Sequence, residues 1–182
     1  DEELTPDAAE KAVTRAQSRG ADLVGFGVTD VAKDGPPGGP YERRLQPVHH
    51  LLEGSDVLSG LFPLYKPAQG QLWRYLFSTQ VLRDAYALLP HDLVLARIND
   101  LPIMFLVAAL ATKYESIDDH LYRYHFGRGG SGHRVDSVER AVFYSSAILS
   151  IDSIRSAVME ISRTHDDAAL ILDSYDSARL SI

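Results

Sequence analysis

Residues 93–132, LVLARINDLPIMFLVAALATKYESIDDHLYRYHFGRGGSG, constrain the fold more than any other stretch. Leu93–Ala96 has the length and character of a buried strand. Asn99-Asp100 then forms a polar junction that is expected to cap a helix from Leu101 to about Lys113, with Pro102 tolerated in its first turn. The apolar run Leu101–Thr112 is too short for a membrane span, so that helix has to be buried in protein. Glu115–Asp118 and Leu121–Phe126 are expected as two short strands, and Gly127–Gly132 as a hinge. Strand, buried helix and returning strand in this order describe an α/β chain. The order also sets one carboxylate, Asp100, at a strand-to-helix junction and returns Tyr124, His125 and Arg128 as its prospective neighbours.

The flanking sequence keeps the same punctuation. Thr5-Pro6-Asp7 supplies an N-cap, a first-position proline and a first-turn acid for a helix that runs to about Ser18, with Ala9, Val13 and Ala16 on one face. Gly20 stops it, and Ala21–Val28 comes next as a buried strand. Asp34–Tyr41, DGPPGGPY, holds three prolines and three glycines and is expected to be a loop. Arg44–Phe62 is expected to form one or two short helices, and Pro63–Gly70 another loop. Gln71–Phe77 is a strand or short turn leading into a helix over Ser78–Leu88.

After Asp136 the pattern becomes helical. Val138, Ala141, Val142, Ser145, Ala147 and Ile148 suit one helix. Ile151, Ile154, Val158 and Ile161 form the stripe of a second, and Asp167–Leu180 suits a third. These residues are expected to form a helical tail, 133–182, packed on an α/β part, 1–132, or on a partner. A homodimer is one such arrangement.

The chain has 182 residues, a hydrophobic fraction of 45% and a formal charge of −7. It can bury a core. Its acidity and the shortness of its densest basic run, Arg43-Arg44, argue against binding nucleic acid. The absence of cysteine rules out disulfides, zinc–thiolate centres and cysteine nucleophiles, and suits a reducing, cytoplasmic setting. No transmembrane segment and no signal-peptide pattern are visible. The opening DEELTPDA has no Met, as in a piece of a longer protein.

Three segments resemble the second half of a family 2, GT-A-type glycosyltransferase catalytic domain. DEELTPDAAEKAVTRAQSRGADLVGFGV is similar to the segment C-terminal to the Asp-x-Asp metal motif in that family. GQLWRYLFSTQVLRDAYALLPHDLVLARIND is similar to the acceptor-side segment that ends in a Glu-Asp pair, represented here by Asn99-Asp100. YESIDDHLYRYHFGRGGSG is similar to the return segment that brings aromatic and basic groups to the donor phosphates. The resemblance covers residues 1–132 and implies an incomplete GT-A-like mixed sheet flanked by helices, with a helical C-terminal tail. The nucleotide-binding half would lie upstream, so this chain alone is not expected to catalyse transfer. It is expected to pair with that half, to dimerise, or to rearrange.

The resemblance implies a sugar-transfer enzyme. Asp100 would be the base that takes a proton from an acceptor hydroxyl, with inversion at the anomeric carbon. Asp1 would be the last carboxylate of the metal motif, holding Mg²⁺ or Mn²⁺ against the diphosphate of a nucleotide-sugar donor. Trp73, Asn99, Tyr124, His125, Arg128 and Ser131 would contact substrate. His125 or Arg128 would stabilise the departing phosphate, and Trp73 would stack on a sugar face.

Plainer roles compete for the same residues. Asp100 also suits a helix cap, Trp73 a core anchor, and His125 and Arg128 the surface. Asp118-Asp119-His120 and His165-Asp166-Asp167 have metal-ligand chemistry but are local runs better suited to solvated loops or helix caps. His49 and His50, adjacent on a helix, would diverge by about 100°. Ser131-Gly132-His133 lacks a nucleophile-elbow pattern. The rival function is a non-catalytic α/β interaction module in which the helical tail docks on a partner and Asp100 only caps its helix.

Overall fold

The structure is a computed structural model that describes residues 3–31, 40–91, 93, 98–125 and 137–182. Five strands form one mixed sheet: β1 (Glu3–Leu4), β2 (Leu23–Asp30), β3 (Leu51–Glu53), β4 (Tyr75–Phe77) and β5 (Lys113–Tyr124). β2 and β5 run parallel at its centre, and β4 adds antiparallel to the far side of β2. β5 carries two short antiparallel partners, β3 along Lys113–Glu115 and β1 along Tyr122–Arg123. The fold is α/β: an open, curled sheet flanked by helices and followed by a helical C-terminal region.

Helix α1 (Ala8–Arg19) ends where Gly20 takes a left-handed conformation, φ 63°, and its N–H returns to the Ala16 carbonyl. Only a residue without Cβ adopts that turn at little cost. Asp7, rather than Thr5, occupies the N-cap position. The short helix α2 (Pro40–Arg44) takes in Pro40 and Tyr41, which the sequence pattern assigns to the loop; the rest of that loop, 34–39, lies outside the described residues. α3 (Asp56–Leu61) follows β3, then a 3₁₀ turn at Leu72–Arg74, β4, α4 (Thr79–Ala87) and α5 (Asp100–Leu110). Ser78 caps α4 by accepting the Val81 N–H. The C-terminal helices are α6 (Ser137–Asp152), α7 (Arg155–Thr164) and α8 (Ala168–Leu180).

Three expectations are corrected. Leu51–Glu53 is a strand, not part of a helix, because its backbone completes the antiparallel edge of β5. Residues 115–124 form one strand instead of two. The pairing shifts from Phe26 opposite Ile117 to Gly27 opposite His120, so the polar residues Asp118 and Asp119 bulge out without breaking the strand. The stripe from Ile151 to Ile161 is divided between helices: Ile151 lies in the last turn of α6, and Ile154 is the residue before α7. The expected strand over Leu93–Ala96 falls mostly outside the described residues.

Helix α5 is apolar all round, and Pro102 through Ala109 are all buried. A helix of that kind needs cover on every side. α3 and α4 cover part of it, and α6 and α7 another part. Phe105 meets Phe62 edge-on at 5.0 Å and Tyr175 of α8 at 5.9 Å. Ile151, Ile154, Val158, Ile171 and Tyr175 thereby join the same core as Leu23 and Tyr114 of the sheet. Val24, Phe26 and Val28 alternate onto the other face, where Ala8 and Ala12 of α1 cover them. The Asp22 carboxylate ties the layers together by accepting the Thr112 N–H at 2.8 Å and the Thr112 hydroxyl at 2.7 Å, where the chain leaves α5 for β5.

Two measurements check this packing. A Cβ at Gly25 would lie 2.6 Å from the buried Tyr114 hydroxyl. Gly25→Ala is expected to lower stability by about 1–3 kcal/mol, and adding Tyr114→Phe to recover part of the loss in denaturant titrations. Between the C-terminal helices, Arg179 donates to Asp152 at 2.6 Å and holds its carboxyl below the ordinary value of 3.8. A depressed carboxyl contributes stability above its unfolded value and loses it as pH falls through the folded one. Asp152→Asn is therefore expected to destabilise the protein at neutral pH and to flatten the acid limb of its stability profile.

Candidate functional site around Asp100

The junction before α5 is strained. Ile98 has φ 54°, a left-handed conformation that a β-branched residue adopts at a cost of about 1–2 kcal/mol. It is pinned by Ser150 of α6, whose side chain donates to the Ile98 carbonyl at 2.6 Å. Ser150 is only 2% exposed. Strained backbone held from outside in this way is typical of functional sites, because the surroundings fix a geometry that the local chain would not choose.

Asn99 stands at the N-cap position with helical angles, φ −72° and ψ −15°, and its side chain makes no capping bond. The expectation that Asn99-Asp100 caps the helix through a side chain is therefore not met at Asn99. Asp100 is the first helical residue and half-buried, with its carboxylate in the first turn, where the helix dipole favours negative charge. Asn99 is exposed and lines a cleft of about 400 Å³, with Leu72, Tyr86, His91, Leu93 and Ile103 among its walls. Asp100 is thus neither sealed in the core nor the N-cap residue.

The other expected site residues gather around the 3₁₀ turn and the end of β5. Trp73 follows Leu72 and stacks on Tyr122 at 4.7 Å and on Tyr124 at 5.1 Å, the latter pair nearly parallel at 6°. The half-buried indole is thus engaged by protein rings, the core-anchor role. Tyr122 and Tyr124 lie at the end of β5 that pairs with β1, with Glu3 opposite Arg123 and an ion pair between them at 3.0 Å. His125 follows directly, and its Nδ1 is buried with no hydrogen-bond partner. The structure therefore brings Trp73, Tyr124 and His125 to one end of the sheet, and Asn99 and Asp100 to the start of α5. The 3₁₀ turn, which packs against both α5 and β2, contributes to each group: Leu72 lines the Asn99 cleft, and Trp73 stacks on the tyrosines. Asp1, Arg128 and Ser131 lie outside the described residues.

The local acidic and histidine runs make polar contacts at the surface. Asp119 pairs with Lys11 at 3.3 Å, His120 Nδ1 lies 3.2 Å from the Thr29 hydroxyl, and Asp118 lies 3.6 Å from His50. The Asp167 N–H reaches His165 Nδ1 at 3.4 Å. Among the described residues no group of three or more His, Asp or Glu side chains could hold a metal ion. No described helix is long and apolar enough to cross a membrane.

Three features were not anticipated from the sequence. Ser150 and the left-handed Ile98 carried no signal, because a serine in an apolar helix and an isoleucine before a polar pair are both ordinary. Arg74 did carry one: it is the charged residue inside the aromatic run LWRYLF. It is fully buried, at 0% exposure, and its Nη2 donates to the Gln46 carbonyl at 3.2 Å and to Gln69 Oε1 at 3.0 Å. Its Nε and Nη1 have no hydrogen-bond partner, and the guanidinium lies over the Tyr75 ring at 5.3 Å.

No protein-family model matches the chain, and a search of curated proteins finds no match.

Ser150→Ala should remove the hydroxyl that holds the Ile98 carbonyl while leaving the surrounding core apolar. The expected outcome is a loss of about 1 kcal/mol together with faster amide hydrogen exchange in the first turn of α5, both restored by Ser150→Thr. Unchanged exchange there would show that α6 does not hold the junction.

Proposed function

We propose that this chain is the acceptor-side part of an inverting glycosyltransferase that takes its sugar from a nucleotide-sugar donor. One observation carries the proposal: a half-buried carboxylate, Asp100, opens a buried helix two residues after a strained one, Ile98, and next to Asn99, which lines a cleft. A base needs a rigid support, access to its substrate and surroundings that keep it ionised. The start of α5 offers the first, the cleft lined by the neighbouring Asn99 supports the second, and the helix dipole favours the third.

In the proposed reaction the acceptor hydroxyl sits in the cleft. Asp100 takes its proton as the oxygen forms a bond to the anomeric carbon. The bond from that carbon to the donor's diphosphate breaks with its electron pair leaving on the phosphate oxygen. Attack opposite the leaving group inverts the centre. Donors on the leaving side stabilise the developing charge, a role assigned to His125 and Arg128. Tyr124, Ser131 and Trp73 complete the substrate contacts, with Trp73 acting through the tyrosines it stacks on. A divalent ion held through Asp1 belongs to the same proposal. It would neutralise diphosphate charge and needs further ligands beyond the described residues.

A second reading rests on α6, where Val142 and Leu149 are 51% and 70% exposed. Apolar side chains in such positions suit a protein that acts by docking rather than by catalysis.

The deciding experiment uses the full-length protein with a panel of nucleotide sugars and Mn²⁺. Asp100→Asn is expected to lower kcat by about 10²–10⁴-fold with donor affinity retained. Unchanged turnover would overturn the base assignment, and no transfer by the unaltered protein from any donor would favour the docking reading.

A further inference from the structure

The chain is acidic overall, with a formal charge of −7. One surface groove runs against that balance. It encloses about 590 Å³ between α2, α3 and the loop before the 3₁₀ turn, and is lined by Arg43, Arg44 and Lys66 with one carboxylate, Asp56, among the described residues. Val48 and Leu52 supply an apolar wall. Val48 is 66% exposed, although a branched aliphatic side chain is normally covered.

The groove's inner wall has an unbalanced charge behind it. Gln69 lines the groove, and its Oε1 accepts from the buried Arg74 guanidinium at 3.0 Å. Arg74 has no carboxylate partner among the described residues, and two of its nitrogens have no acceptor. Gln71, also in the wall, has a buried side-chain oxygen without a partner. A buried cation without a counter-ion is costly, and the low-dielectric wall transmits its field to the groove more strongly than water would. An anion in the groove would supply the missing countercharge, and an apolar segment attached to it would cover Val48 and Leu52.

We propose that this groove binds a phosphate-bearing organic molecule, with its phosphate toward Arg44 and Lys66 and its apolar part against Val48 and Leu52. The site does not depend on the sugar-transfer reaction and is separate from the Asn99 cleft: the two share no lining residue, Gln69 and Gln71 walling the groove and Leu72 the cleft. The ligand class follows from charge and shape: cations select the phosphate, and the apolar wall separates an organic phosphate from the inorganic ion.

Calorimetric titration of the chain with hexyl phosphate, hexanol and inorganic phosphate tests this. Hexyl phosphate is expected to bind most tightly and to weaken as salt rises. Arg44→Glu combined with Lys66→Glu, both at exposed positions, is expected to weaken it by about tenfold or more while leaving the melting temperature of the ligand-free protein nearly unchanged. Asp100→Asn is expected to leave binding intact, so failure here and failure of the glycosyltransferase proposal can be told apart. Absence of hexyl phosphate binding, hexanol binding equally well, inorganic phosphate binding equally well, or affinity indifferent to the charge reversals would each overturn the assignment.

Discussion

A helix with no polar face must be covered on every side, and most of this architecture follows from covering α5. The sheet alone cannot do it. α3 and α4 contribute from the middle of the chain, and the C-terminal helices complete the enclosure, with Phe105 held between Phe62 and Tyr175. Burial of that much apolar surface is the main favourable term available to a chain of this size. The 2.7 and 2.8 Å bonds that Asp22 accepts from Thr112 then set where β5 begins relative to β2.

That enclosure also prepares the start of α5. Ile98 is held at φ 54° by a hydroxyl from α6, so a C-terminal helix reaches the residue two places before Asp100. In the glycosyltransferase proposal, the helices beyond residue 136 therefore act as supports of the acceptor site. The expected gathering of Asp100 with the aromatic–basic return is only partial. Trp73 and Tyr124 stack on each other at 5.1 Å, while Asn99 faces a separate cleft that Leu72 of the same turn also lines.

Long, strongly patterned elements could be read from the sequence, and short ones could not. Gly20 after an alanine-rich amphipathic run, the unbroken apolarity of Leu101–Leu110 and the spacing of Val158 and Ile161 each fix an element locally. β3 is different: Leu51 and Leu52 have no local preference strong enough to make a strand, and only the edge of β5 pairs them. The bulge at Asp118-Asp119 looked like a gap between strands because sequence shows polarity, whereas a parallel neighbour can carry a strand past extra residues. Of the candidate site, the placement of Asp100 at a helix start was visible in Asn99-Asp100 followed by an apolar run. The Ser150 contact was not, because a bond between residues 52 apart leaves no local pattern.

The order of synthesis gives the closure of α5 a further meaning. A ribosome releases the most apolar helix of this chain well before Ile151, Ile154 and Tyr175, the side chains that finish its cover. At roughly 5–20 residues per second, nascent α5 spends seconds without its final partners, a natural client interval for a chaperone. The hydroxyl that sets the backbone before Asp100 arrives in the same later segment, so the proposed base is positioned only after residues some fifty places further on have been made.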